Sequence, residues 1–347
     1  MKLLIVTQAL DENHPVLGFF VGWVWEFAKH FEKVTVIALS VGKTKLPGNV
    51  TVRSLGKEKK SRLPKFLLRV LYVGRFVRYI IQSRREYDTV FVHMNPEYVI
   101  LGSPVWRMFR KKIALWYNHT HGGFKLSLAA KLSDIVFHTS PYAASARFKN
   151  AKRMPAGIDT ELFKPHPGIK KHPRSVYFQG RVALSKNVHI LLEAFARLYK
   201  EGKASRLTIV GPDGDREYVE GLRTKYAGII ASGAVVFLGA VRHNQTPALY
   251  AVHTVSVNLA ASGGYDKTVL ESLASGTPVV LSSKAFADLI PARFTVPEGD
   301  AAALSNALAR VLEHPEFLAT WRDAVVQNHS LAALGERLGG AIVNSTQ

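Results

Sequence analysis

The sequence has no cysteine, which excludes disulfides, thiolate zinc sites and a cysteine nucleophile and suits a reducing compartment. Acidic residues are scarce: 26 Asp and Glu face 46 Lys and Arg, a formal net charge of +20. Long apolar runs are missing too. The opening MKLLIVTQAL meets Asp11 and Glu12 without a small-residue cleavage site, so it reads as a buried strand rather than a leader. No run approaches the roughly 20 apolar residues of a spanning helix. The expectation is a cytoplasmic protein, soluble or peripheral on the inner face of a membrane. Internal repeats and low-complexity segments are also absent.

What the chain does have is length and apolar residues in short blocks. At 347 residues it exceeds the size at which one core keeps growing, so two domains are expected. The runs Leu3 to Val6, Val34 to Leu39, Thr89 to Val92 and Leu207 to Val210 are continuous instead of alternating, the mark of parallel strands buried on both faces. Periodic helical segments separate them, which predicts an α/β protein of two Rossmann-like, doubly wound parallel sheets. Pro155, Gly157, Pro165 and Pro167 punctuate a linker. Domains are predicted over 1–160 and 161–324. The tail, Pro315 to Gln347, contains helical segments, with Trp321 as a candidate anchor.

Chemistry concentrates in SGGYDKTVLESLASGTPVV, Ser262 to Val280. Gly263 and Gly264 lack side chains, so their backbone N–H groups can face a ligand, and the helix that follows adds the positive end of its dipole. Asp266, Lys267 and Thr268 stand at the helix start, and Glu271 lies one to two turns in, placed to accept hydrogen bonds from sugar hydroxyls. Asp266 is open to two readings, a ligand contact or a cap on the first free N–H groups. Upstream, SVYFQGRVALSKNVHILLEAF reads as a strand, a break at Gly180, and Arg181 and Lys186 before a helix from Asn187. An Arg fork and a mobile Lys beside a helix start suit a diphosphate, or are simply solvated surface cations.

Taken in order, MPAGIDTELFKP, GRVALSK, LTIVGPDGD, VVFLGAV and DKTVLESLASGTPVV resemble family 4 of the retaining glycosyltransferases, which have the GT-B fold of two Rossmann-like domains facing a cleft. The resemblance implies transfer of a sugar from a nucleotide donor (UDP-, GDP- or ADP-linked) to a glycan or lipid-linked acceptor in cell-envelope glycan assembly. No metal or other cofactor is required. It implies that Arg181 and Lys186 meet the leaving diphosphate, that Glu271 holds the ribose, and that the tail, about 325–347, returns as a helix to the first domain. Gly18, in the first loop, is a donor-site candidate by position. His119, after the strand IALWYN, resembles the family's cleft histidine. The base is expected to be read near Gly239 to Arg242. One departure stands out: the family's acid eight residues before the helix glutamate is Gly263 here, which puts the sugar contacts in doubt. Two rival readings are a GT-B nucleotide-sugar epimerase and a non-catalytic basic protein that binds membranes or polymers.

The charge is uneven. Residues 1–157 hold 26 Lys and Arg against 9 Asp and Glu, and the remainder 20 against 17, so the excess belongs to the first half and points to an acidic partner. Lys57 to Arg85 is its densest part. Phe66, Val70, Val73, Val77 and Ile80 predict the apolar face of a helix, and Arg75, Arg78, Gln82 and Arg85 a basic one. That segment is either a core helix with a basic outer side or a surface for anionic lipid headgroups. Arg107 to Lys112 forms a second basic cluster. Helix-turn-helix spacing, zinc ligands and RNP-like aromatics are lacking, which argues against nucleic acid. His121 near His119 has no third ligand at suitable spacing, which argues against a metal. His93 and His138 read as structural.

Overall fold

The computed structural model describes residues 1–261, 263–315 and 319–344; Ser262, which opens the glycine loop, and both ends of the returning tail, 316–318 and 345–347, lie outside them. The chain divides into two compact units, Met1–Gly157 with Leu331–Gln347, and Ile158–Ser330.

In the first unit the apolar runs become β1 (Lys2–Leu10), β2 (Lys33–Val41), β3 (Val50–Ser54), β4 (Thr89–His93), β5 (Lys112–Trp116), β6 (Ile135–His138) and β7 (Ala151–Arg153). All pair in parallel, in the order β3-β2-β1-β4-β5-β6-β7. Leu3, Leu4, Ile5 and Val6 are fully buried, as strands covered on both faces must be. Helices α1 (Phe20–His30), α2 (Lys65–Gln82), α3 (Pro96–Met108) and α4 (Phe124–Leu132) make the crossovers. The order reverses direction between β1 and β4, where the carboxyl ends leave a crevice.

The second unit repeats the plan with β8 (Ser175–Gln179), β9 (Arg206–Val210), β10 (Val235–Gly239), β11 (Val255–Asn258) and β12 (Val279–Leu281). Its parallel order is β10-β9-β8-β11-β12, with the switch between β8 and β11. Its helices are α5 (Val188–Lys200), α6 (Arg216–Lys225), α7 (Ala227–Ala231), α8 (Thr246–Val252), α9 (Lys267–Ala274), α10 (Ala301–Glu313) and α11 (Ala319–His329). Helix α12 (Leu331–Asn344) then rejoins the first unit.

Two expectations need correction. Trp321 does not anchor the tail to the first unit; it sits in α11 and packs edge-to-face on Phe294 of its own unit at 5.0 Å. Anchoring falls instead to Leu334 and Leu338, fully buried with Phe20, Trp23 and Phe27 of α1. The second concerns α2. Ile80 is buried and Val77 partly so, but Phe66, Val70 and Val73 are exposed. On the basic side, Arg75 is half-buried and donates to Leu55 O at 2.7 Å. Periodicity gives a helix its stripe but does not say that the partner sheet is long enough to cover it. Among the described residues, no helix is long and apolar enough to cross a membrane.

Helices α1 and α12 touch through glycine. A Cβ on Gly335 would fall 2.5 Å from His30 Nε2 and 2.8 Å from Glu26 Cγ, whereas one on Gly340 would meet nothing within 4 Å. His30 Nε2 and Lys29 Nζ both contact the Glu26 carboxylate, at 3.1 and 2.7 Å. Gly340→Ala is therefore expected to stabilise by about 0.5–1 kcal/mol through helix propensity. Gly335→Ala forfeits that gain and lowers stability by forcing His30 off Glu26. Urea unfolding of the two variants checks the opposite signs.

Candidate functional site

The β8–β11 switch of the second unit gathers most of the candidate residues. Gly211, at φ +142, lets the loop after β9 close on the loop after β8; a Cβ there would be 2.0 Å from Gly180 O. Val182 and Asp213 form an isolated parallel bridge across the same junction. This close approach fixes the Gly180–Lys186 segment, and Arg181 leaves it exposed, with no hydrogen-bond partner for its guanidinium among the described residues. Asn187 then takes the left-handed conformation (φ 51), which Asn tolerates better than most residues, and its Nδ2 donates to Leu259 O at 3.1 Å. The start of α5 is thereby tied to the loop after β11.

That loop turns at Gly263, φ +88, and is held where Ser283 Oγ donates to Gly264 O at 2.6 Å. Asp266 is the N-terminal flanking residue of α9, yet its side chain caps no N–H. Its Oδ2 instead receives Lys186 Nζ at 2.5 Å and Asn258 Nδ2 at 3.1 Å, so the capping reading fails. Asn258 Nδ2 also reaches Thr268 Oγ1 at 3.1 Å. Asp266 and Lys186 thus form one half-buried pair in which Lys186 uses one of its three N–H donors.

Glu271 is buried on α9, its side chain 4% exposed. Its Oε1 lies 3.0 Å from His243 Nε2, and its Oε2 is buried with no hydrogen-bond partner among the described residues. Since a carboxylate only accepts, Nε2 carries the proton in this pair. The His243 ring is backed by Phe163 at 5.1 Å. Around the carboxylate, burial and the charge of Glu271 push the Tyr177 and Tyr250 hydroxyls well above their ordinary range, so both remain protonated donors, to Gln179 Oε1 and Thr268 O. At the far end of α9, Arg322 holds Ala274 O together with Phe163 O and Thr160 O, a cation at a helix C-terminus. His243 was not among the residues singled out from sequence. It directly follows Gly239 to Arg242, the stretch expected to read the base.

In the first unit, Gly18 closes the loop after β1: a Cβ there would lie 2.9 Å from Glu12 O, and His14 Nδ1 accepts from Val16 N and Leu17 N. His93 is buried and stacks on Phe20 at 4.4 Å, and His138 is buried against Ser140 O, both built into the fold. His119 is exposed after β5, its ring 5.6 Å from Tyr117 and its carbonyl accepting from Ala144 N. Next to it is an open cavity of about 500 Å³ lined by Tyr117, Thr120, His121, Gly123, Ala144 and Arg147 among others. Gly18 and His119 therefore stand at the carboxyl edge of the first sheet, and the remaining candidates at the carboxyl edge of the other.

Lys267 is partly exposed as a residue while its ammonium is enclosed, and burial brings it down to about 7 against the opposing pull of Glu271. A lysine lowered in the folded state binds fewer protons than the unfolded chain between that value and its ordinary one, so stability rises with pH across that window. Stability is expected to climb from pH ~7 toward ~10 by at most about 1.4 kcal/mol per unit relative to Lys267→Met, measured by urea unfolding.

Residues 173–314 match the family model described as Glycosyl transferases group 1. The chain is 29% identical over 113 residues to an alpha-monoglucosyldiacylglycerol synthase of Streptococcus pneumoniae, covering 33% of this chain and 25% of that one. It is 30% identical over 176 residues to a phosphatidyl-myo-inositol mannosyltransferase of Mycobacterium leprae, covering 48% and 45%. The matched stretches thus span between a quarter and less than half of these relatives. Among solved structures, Anabaena HepE in complex with UDP and glucose superposes with a TM-score of 0.78 at 18% identity over 99% of both chains. Sucrose-phosphate synthase from Thermosynechococcus elongatus gives the same values. Over residues 173–314 the chain thus resembles the glycosyl transferases group 1, and its two parallel-sheet units have the GT-B fold.

Proposed function

We propose that the protein is a retaining glycosyltransferase that moves a sugar from a nucleotide donor, a uridine diphosphate sugar in the first instance, to a lipid-linked or polysaccharide acceptor. The observation that carries this is Glu271, a buried carboxylate with one oxygen fixed by His243 and the other unsatisfied. Leaving a buried acceptor unpaired costs roughly 1–3 kcal/mol, a cost that a ribose hydroxyl donating to Oε2 would remove. The choice of uridine is supported by the solved HepE structures, whose bound ligands are UDP, UDP with glucose, and UDP-glucose.

In this reading the acceptor oxygen bonds to the anomeric carbon on the face from which the carbon–phosphate oxygen bond breaks. The acceptor proton passes to the departing diphosphate, so no enzyme nucleophile is needed. Charge builds on the phosphate oxygens and is met by donors already in place, the open guanidinium of Arg181 and the two remaining N–H donors of Lys186, whereas the Gly264 N–H expected to face the ligand is taken by Ala261 O. Asp266 keeps Oδ1 available for a sugar hydroxyl, taking over from the acid that Gly263 replaces. A nucleoside diphosphate is the product.

Thermal unfolding against UDP, GDP, ADP and their sugars tests the donor site, because a ligand of the folded state raises its melting temperature. UDP is expected to give the largest shift. Glu271→Ala is expected to weaken binding about 10- to 100-fold, the worth of a hydrogen bond to a charged group. Arg181→Ala is expected to lower turnover more than affinity for the free nucleoside. No shift with any nucleotide at millimolar concentration overturns the proposal. Conversion of the donor sugar to its epimer without an acceptor replaces transfer by epimerisation.

A further inference from the structure

Helix α2 turns its apolar side outward. Phe66, Leu67, Val70, Leu71, Val73 and Ile81 are all exposed, Phe66 and Val70 to 65% each, while Phe76 and Ile80 alone on that helix are fully buried. Phe66 and Val70, like Leu67 and Leu71, are one turn apart, so they form one continuous strip on a single helix. The cations lie beside the strip and at its start: Lys57, Lys59, Lys60, Arg62, Lys65 and Arg69 are exposed, and none forms an ion pair among the described residues. The one acid among them, Glu58, is engaged by Ser54 Oγ and Val41 N. A surface helix ordinarily gives water its charged side and the core its apolar side; this one offers water both an apolar strip and a cationic collar.

We propose that this face docks the protein on the surface of an anionic lipid membrane. The strip would enter the boundary between headgroups and acyl chains, and the collar would sit against anionic headgroups. A polyanion in solution matches the cations but has no use for exposed Phe66 and Val70. A convex strip on one helix also offers no groove for a protein segment. The chain enters α2 from the carboxyl end of β3, the edge of this sheet that also carries the Gly18 loop and His119. The second basic cluster is excluded, because α3 runs to the opposite edge before Arg107 to Lys112, and Arg107 is bound to Asp134 and Leu132 O. Docking therefore brings the acceptor side of the first unit to the membrane, which makes the acceptor a membrane lipid; that last step rests on the proposed glycosyl transfer.

Sedimentation with vesicles tests the surface, using phosphatidylcholine alone and phosphatidylcholine with phosphatidylglycerol. Binding is expected only with phosphatidylglycerol present and is expected to weaken with salt. Lys59→Gln, Lys60→Gln and Arg62→Gln together should reduce partitioning about 100-fold, roughly five-fold per cation. Phe66→Ser with Val70→Ser should reduce it about ten-fold and leave both the melting temperature and binding to heparin unchanged. No partitioning onto phosphatidylglycerol vesicles at low salt overturns the proposal. So does a Phe66→Ser/Val70→Ser variant that binds vesicles like the parent while loss of the cations abolishes binding, a result that marks a polyanion surface. The UDP-dependent shift in melting temperature, read on the same preparations, reports the nucleotide site separately, so the two readings can fail independently.

Discussion

A carboxylate is among the most expensive groups to bury, and Glu271 is buried with only one of its two oxygens hydrogen-bonded among the described residues. Much of the second unit around α9 is explicable as the structure needed to keep it there. His243 supplies the donor to one oxygen, Phe163 fixes the plane of that imidazole, and the Tyr177 and Tyr250 rings wall the site. Arg322 fastens both Phe163 O and the end of α9, so the segment that backs His243 and the helix that carries Glu271 are held by one guanidinium. Removing any of these would leave the carboxylate either solvated or mispointed. The geometry is preformed, and the free oxygen is where a hydroxyl donor has most to gain.

The Asp266–Lys186 pair follows a different logic. It is half-buried, and a pair of that kind contributes little to stability by itself. What it does is restrict a lysine with a flexible stem to one position at the switch between β8 and β11. Arg181 next to it is restrained through its backbone instead, by the approach of Gly211 to Gly180 that no residue with a Cβ could make. Two cations are thus positioned by two means, one electrostatic and one steric.

The fold was legible because buried parallel strands need continuous apolar runs. Lys186, Asp266 and Glu271 could be singled out because each lies at or near the start of a helix that follows a glycine-containing loop. What Asp266 does was not legible, since capping and pairing with a distant lysine place the same residue type at the same position; only the path of the chain between Lys186 and Asp266 decides between them. His243 went unread because one histidine after a strand carries no periodic or spacing signal. The tail shows a related limit. Helices α11 and α12 are adjacent in sequence and similar in composition, yet Trp321 serves one core and Leu334 the other. That choice is made by the single turn at Ser330, where Ile158 and Ser330 pair as the two crossings of the chain.

Charge and burial together make α2 the least expected element. In the second unit, surface cations commonly have acids beside them, as in Arg216–Glu220, Arg223–Asp213 and Lys203–Glu201. Such pairing neutralises a surface at small energetic gain and is what an ordinary solvated face looks like. Between Lys57 and Arg69 one acid, Glu58, stands against six cations and pairs with none of them among the described residues, while the apolar residues remain exposed, so the segment meets neither requirement of a solvated face. Folding of the first unit does not need it in that form, because Phe76, Ile80 and Tyr87 supply the contact with the sheet and Phe66 and Val70 supply none. A feature that the core does not use, and that water disfavours, is explained by a partner that is both apolar and anionic.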